Sequence, residues 1–126
     1  MHIKTLDHVN LRTAKLSQMI TWYEAVLGMK EGARPDFPFP GAWLYAGERA
    51  FVHLVGIDGA GATGSEADLK LEHFAFSASD AAGFEARLVA RKEAFRKVEI
   101  PETGVVAYNI WDPDGNHIHV DFAVPE

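Results

Sequence analysis

Four of the six histidines in this 126-residue chain recur at one interval, and that interval constrains the fold more than any other feature of the sequence. His8 and His73 stand 65 residues apart, His53 and His119 stand 66 apart, and Trp43 and Tyr108 stand 65 apart. A fixed offset of half the chain length predicts one supersecondary unit present twice. The pattern of apolar residues agrees. Residues 3–12 (IKTLDHVNLR) alternate as a strand, with Leu6, His8, Asn10 and Arg12 on one face. Ser17 is a candidate N-cap for a helix with Met19, Ile20, Tyr23, Val26 and Leu27 as its apolar stripe, and Gly28 stands where a glycine would stop it. After a loop punctuated by Pro35, Pro38 and Pro40, residues 42–47 and 50–56 read as strands about a tight turn near Gly47-Glu48. Residues 57–68 are glycine-rich and read as a linker.

The same order then returns. Residues 69–77 read as a strand, and Asp80 can cap a helix running through Phe84, Leu88 and Val89. Residues 95–101 and 105–111 are strand-like, DPDG (112–115) is a turn, and 116–122 is a last strand. Each half reads β-α-β-β-β. The expected fold class is α+β, one domain of two repeated modules, about 1–56 and 69–126.

A histidine repeated in register has a chemical implication. A single histidine on a strand is more often packed or solvated than a ligand. Four at equivalent places reverse that reading, because neutral imidazole is the commonest protein ligand for Zn, Ni, Cu, Fe and Co. His8, His53, His73 and His119 are therefore the candidate metal ligands. His2, near the N-terminus, reads as uninvolved; His117, nearer the turn, reads as a rim or solvated residue. Asp121 shares a strand face with His119, and reads either as an exposed charge or as a carboxylate that orients His119 or binds metal.

Composition narrows the partners. The formal net charge is −6 with no basic run, which argues against nucleic acid or an anionic membrane surface. There are no cysteines, so disulfides, thiolate sites and a cysteine nucleophile are excluded. The N-terminal MHIKTLDHVNL lacks an apolar signal region, and no apolar run approaches membrane-spanning length. The expectation is a soluble, cytoplasmic protein acting on a small molecule.

The segments LDHVNLR (6–12), WYEAVLGM (22–29), GAWLYAGERAFVHLV (41–55), LEHFAFSASD (71–80) and WDPDGNHIHV (111–120) together resemble the vicinal-oxygen-chelate superfamily of glyoxalases, extradiol dioxygenases, epimerases and fosfomycin- and bleomycin-resistance proteins. The resemblance implies paired modules forming a curved mixed sheet around a metal-binding cleft, and commonly a homodimer. It implies ligands at the first and last strands of each module, which here are His8, His53, His73 and His119. The metal is expected to be a divalent transition ion: Zn, Ni, Fe(II), Mn or Co.

The chain also departs from the family pattern. His119 stands where the family usually has Glu, and His53 where Glu or Gln is common. Glyoxalase-type isomerisation needs a carboxylate base, and ring-cleaving dioxygenases pair two histidines with one carboxylate. Asp121, about 7 Å farther along the strand than His119, is the candidate replacement and the expected catalytic residue. Asn10 and Arg12 could meet an anionic or carbonyl group, although a strand-end charge would also explain Arg12. Trp43, Tyr45, Phe51 and Tyr108 could line an aromatic pocket or belong to the core. Two other readings stand beside the enzyme: a metal-independent binding or resistance protein, and a purely structural metal site.

Overall fold

The structure, a computed structural model, describes residues 1–58 and 71–126. Most of the expected linker lies outside the described residues. The chain divides into two compact units, Met1–Thr63 and Gly64–Glu126.

Unit one runs β1 (Val9–Thr13), α1 (Leu16–Leu27), β2 (Lys30–Gly32), β3 (Gly41–Ala46) and β4 (Arg49–Gly56). Its sheet has the order β1-β4-β3-β2, with β1 parallel to β4 and the other neighbours antiparallel. Leu11, Ala42, Leu44, Val52 and Leu54 bury one face of this sheet. Met19, Trp22, Tyr23 and Val26 of α1 supply the helical part of that core. Their i, i+3, i+4, i+7 spacing makes the stripe that drives an amphipathic helix onto a sheet.

The helix stops at Gly28, whose φ of 69° puts it in the left-handed region while its N–H bonds back to Glu24 O and Tyr23 O. Only glycine enters that conformation without steric cost. The β3–β4 turn likewise places Gly47 at φ 63°. At the other end the helix begins earlier than expected, with Lys15 as N-cap, so Ser17 lies inside the first turn. The buried Thr13 hydroxyl accepts the Lys15 N–H at 2.9 Å and turns the chain out of β1. β1 itself starts only at Val9, opposite Val52, so residues 3–8 are not strand. The short β2 falls in the stretch expected to be loop. It is three residues long with all side chains exposed, so no apolar alternation announces it.

Unit two repeats the order with β5 (Phe74–Ala78), α2 (Ala81–Ala90), β6 (Arg96–Ile100), β7 (Val105–Trp111) and β8 (His117–Ala123). The strand order is β5-β8-β7-β6, again with the first pair parallel. Asp80 caps α2 as expected, its Oδ1 accepting the Gly83 N–H at 3.0 Å. Phe84 and Leu88, four residues apart, are buried; Val89, expected on the same stripe, is 62% exposed because it lies about 100° farther round the helix. Ile118, Val120, Phe122, Val106, Tyr108 and Ile110 complete this core. Among the described residues, no helix is long and apolar enough to cross a membrane.

Candidate metal centre

In both units alternate residues leave the buried side of the sheet, and the histidines stand on that opposite face. In unit one, β4 buries Val52 and Leu54 against the core, so His53 emerges between them on the other side. His53 lies opposite Trp43 on β3 and Asn10 on β1. His8, one residue before β1, stacks on His53 with ring centroids 3.9 Å apart, and His53 stacks on Trp43 at 4.0 Å. The result is a three-ring ladder running from the residue ahead of β1 across β4 to β3. Asp7 Oδ1 bonds His8 Nδ1 at 2.7 Å, and the Arg49 guanidinium stands 3.9 Å from the other Asp7 oxygen. Asp7, His8, Trp43, Tyr45, Arg49 and His53 border an open pocket of about 490 Å³. The His8 bond holds the Asp7 carboxyl below the usual carboxylate range.

Asn10 and Arg12, exposed on β1, line a different pocket of about 340 Å³ with Phe39 and Val55. They share a sheet face with His53, on whose ring His8 and Trp43 stack.

In unit two, His73 sits one residue before β5, as His8 does before β1. His117 and His119 project to the same side of β8, two residues apart, while Ile118 and Val120 go to the core. His73 stacks on His119 at 3.8 Å and meets His117 edge-on at 5.5 Å. One ligand nitrogen from each of His73, His117 and His119 lies within 4.8 Å of the others.

His117 is not the solvated rim residue expected from its place near the turn. It is 5% exposed, held between Asn109 Oδ1 at 2.8 Å from Nε2 and Glu72 Oε1 at 3.1 Å from Nδ1. The indole of Trp111, opposite it on β7, stacks on its ring at 5.3 Å. Glu72 also bonds His73 Nδ1 through its second oxygen. These imidazole bonds, His73 first, hold the Glu72 carboxyl below its ordinary range. Burial lowers the His119 pKa, and the neighbouring His73 and His117 lower it further, with Asp121 and Glu72 opposing.

Asp121 lies on the His119 face of β8, and its Oδ1 is buried with no hydrogen-bond partner among the described residues. A buried carboxylate oxygen without a donor costs on the order of 1–3 kcal/mol or more, which a bound cation would offset. Tyr108 is placed elsewhere. It lies opposite Val120, is 1% exposed, and packs on Phe84 and Phe122 with its hydroxyl donating to Glu85 Oε2 at 2.5 Å. The residue standing to His119 as Trp43 stands to His53 is Asn109.

Glu72 and Asn109 were not among the residues the sequence singled out, and His117 was placed at the rim. A signal for Glu72 existed. LDH (6–8) and LEH (71–73) carry an acid before the repeated histidine at the same offset of 65.

The donor set suits a transition metal. Three imidazoles with a carboxylate beside them match the preferences of Zn, Fe(II), Ni and Co. Two metal–nitrogen bonds of about 2.0–2.1 Å span at most about 4.2 Å, so an ion held by all three would draw together ligand atoms that here lie within 4.8 Å of one another.

Stability should follow the imidazoles. Burial lowers the pKa of both His53 and His119. The unfolded chain begins to bind protons near pH 6.5, whereas the folded chain refuses them until lower pH. Stability is therefore fully present above about pH 6.5 and declines as pH falls through the folded pKa values. With chelator present, the melting temperature is expected to be lower at pH 5.5 than at pH 7.5, and His53→Gln should reduce the difference. A melting temperature unchanged over this range would contradict the assignment.

Two β-α-β-β-β units with imidazoles at the same strands, on the sheet faces turned away from the helices, define a two-module protein with its candidate chemistry on those faces. A model of the Glyoxalase/Bleomycin resistance protein/Dioxygenase superfamily matches residues 5–120, and the chain belongs to that superfamily. Among solved structures it is similar to a glyoxylase/bleomycin resistance protein/dioxygenase domain from Frankia sp. EAN1pec, at 23% identity and TM-score 0.80, covering 97% of this chain and 99% of that one. It is also similar to lactoylglutathione lyase from Agrobacterium tumefaciens (20%, TM-score 0.71, 96% and 95% covered). A third likeness is to a genomically encoded fosfomycin resistance protein from Listeria monocytogenes (11%, TM-score 0.74, 97% and 95% covered). At such identities the likeness is one of fold. No curated protein matches the sequence significantly.

Proposed function

We propose that the chain is a metal-dependent enzyme of the glyoxalase/dioxygenase type, acting on a small organic substrate with adjacent oxygens. The observation that carries this reading is the cluster of His73, His117 and His119, whose ligand nitrogens lie within 4.8 Å of one another. These three residues hold the ion in unit two. His8 and His53 enter the proposal as two further imidazole donors, in unit one. A divalent transition metal supplies Lewis acidity toward the oxygens of the substrate. The residues of the chain do the rest. Asn109 fixes the His117 ring, Arg12 and Asn10 offer a cation and an amide to an anionic or carbonyl group, and Trp43 gives a flat apolar surface to a substrate body. Asp121 remains the proposed acid–base residue, since its buried Oδ1 has no hydrogen-bond partner among the described residues. By analogy with small members of the family, the protein is proposed to be a homodimer and cytoplasmic.

The test is elemental analysis of the purified protein. About one equivalent of transition metal per chain is expected, lost to a chelator and regained on dialysis against Zn, Ni, Mn or Fe(II). Protein that carries less than about a tenth of an equivalent and regains none removes the proposal.

The ladder of His8, His53 and Trp43 supports a second reading, a metal-independent binding or resistance protein, because stacked rings beside an open pocket suit a planar ligand. Ligand-induced stabilisation that survives a chelator would favour it.

A further inference from the structure

We infer that Glu72 is a metal-binding carboxylate, completing with His73, His117 and His119 a three-histidine, one-carboxylate set within unit two. The inference rests on the metal reading above and adds a carboxylate to its three imidazoles.

The argument begins at Asn109. Its side-chain Nδ2 donates to Arg96 O at 3.1 Å and its Oδ1 accepts from the Arg96 guanidinium at 3.4 Å, which fixes the orientation of the amide. The oxygen that faces His117 Nε2 at 2.8 Å is therefore an acceptor, and Nε2 carries a proton. Such a bond on one ring nitrogen is the usual means of presenting the other to a metal. That other nitrogen, Nδ1, lies 3.1 Å from Glu72 Oε1. A lone pair and a carboxylate oxygen repel at this distance unless a cation lies between them, either a proton or a metal ion. His73 Nδ1 faces the second oxygen of the same carboxylate. Two Nδ1 atoms and two carboxylate oxygens thus converge, with His119 stacked on His73.

Unit one shows the contrast. Asp7 holds a similar place beside His8, but Arg49 stands 3.9 Å away and already offers it a positive charge. Among the described residues Glu72 is paired with imidazoles alone. Its side chain is 62% exposed, so it adds little as a structural ion pair and stands open to an incoming ion. A carboxylate added to imidazoles also widens the accessible metals toward Mn and Fe(II), which an all-imidazole set serves less well.

The test is titration of the full chain with Zn(II) by calorimetry, and with Co(II) by visible absorption, for wild type, Glu72→Gln and the control Glu99→Gln. Glu72→Gln is expected to weaken Zn(II) binding by at least about tenfold, since even groups outside the ligand set shift affinity by 10–100-fold. It should also change the Co(II) spectrum, whereas Glu99→Gln, which removes an exposed carboxylate of β6, leaves affinity and spectrum as in wild type. Metal-free Glu72→Gln should melt with wild type, because the residue is exposed. Unchanged affinity and spectrum in Glu72→Gln, with wild type binding normally, overturn this inference and leave the metal reading standing. Wild type that binds neither ion overturns both.

Discussion

Replacement of His119 by alanine is expected to weaken binding of a divalent transition metal by at least about 100-fold, or about 2.7 kcal/mol, while the metal-free protein melts close to wild type. The expectation follows from where His119 stands. Its ring is half-buried on the open face of β8, stacked on His73 at 3.8 Å, and contributes little to the apolar core on the opposite face. Removal takes one of three clustered imidazoles and leaves Ile118 and Val120 in place. Calorimetric titration gives the affinity, and scanning calorimetry with and without metal gives the stability. The paired measurement separates two kinds of site. At a catalytic centre the variant loses metal and turnover with the fold intact. At a structural centre the metal-free wild type is itself destabilised, because the binding energy of such a site is folding energy. An affinity unchanged in His119→Ala would show that the ion is not held here. His8→Ala, assayed beside it, reports how much unit one contributes.

The second large effect belongs to Tyr108. Tyr108→Ala is expected to destabilise the protein by about 3–5 kcal/mol, the range for emptying a large aromatic site in a core. The ring is 1% exposed and lies against Phe84, Phe95 and Phe122. Its hydroxyl, shared with the Glu85–Lys97 ion pair, would leave that pair half-served; the pair already holds the Lys97 pKa up to about 12. Trp43→Ala, by contrast, should cost only about 1 kcal/mol, the scale of an aromatic stacking contact, and should act on ligand binding through His53. Urea denaturation of both variants checks the pair. Equal losses would mean that Tyr108 is no more a core residue than Trp43.

That contrast also marks the limit of what spacing could reveal. The offset of 65–66 residues carried the architecture, because a repeated order of elements is a property of chain distance. It could not carry the face. Trp43 and Tyr108 are 65 apart, but the cross-strand partners of the last-strand histidines, Trp43 and Asn109, are 66 apart, as His53 and His119 are. One residue of shift moves a side chain from the open face to the core, and Asn109 therefore occupies the place expected for Tyr108. Apolar residues were readable wherever burial was one-sided, as in Phe84 and Leu88 of α2, and unreadable in β2, where nothing is buried. The four repeated histidines were legible as a set, and the structure assigns two to each unit. His117 and Glu72 were hidden for a different reason. A histidine near a turn and an acid ahead of a strand look like solvated residues until β5 and β8 are paired in parallel and bring positions 72, 73 and 117 together.

The positions that Trp43 and Asn109 occupy have a further consequence. Both stand directly across the ladder from the last-strand histidine of their unit, on equivalent strands, yet one offers a flat ring and the other an amide. The Trp43 ring constrains the plane of His53 by stacking on it, whereas the Asn109 amide oxygen sits on Nε2 of the neighbouring His117 and dictates which nitrogen of that ring keeps its proton. One backbone position thus does two different things in the two halves of the chain: in one it packs a ring on an imidazole, in the other it fixes the protonation of one. Exchange of a single cross-strand residue is then a short route by which a repeated scaffold acquires a new specificity, with no change to the fold that carries it.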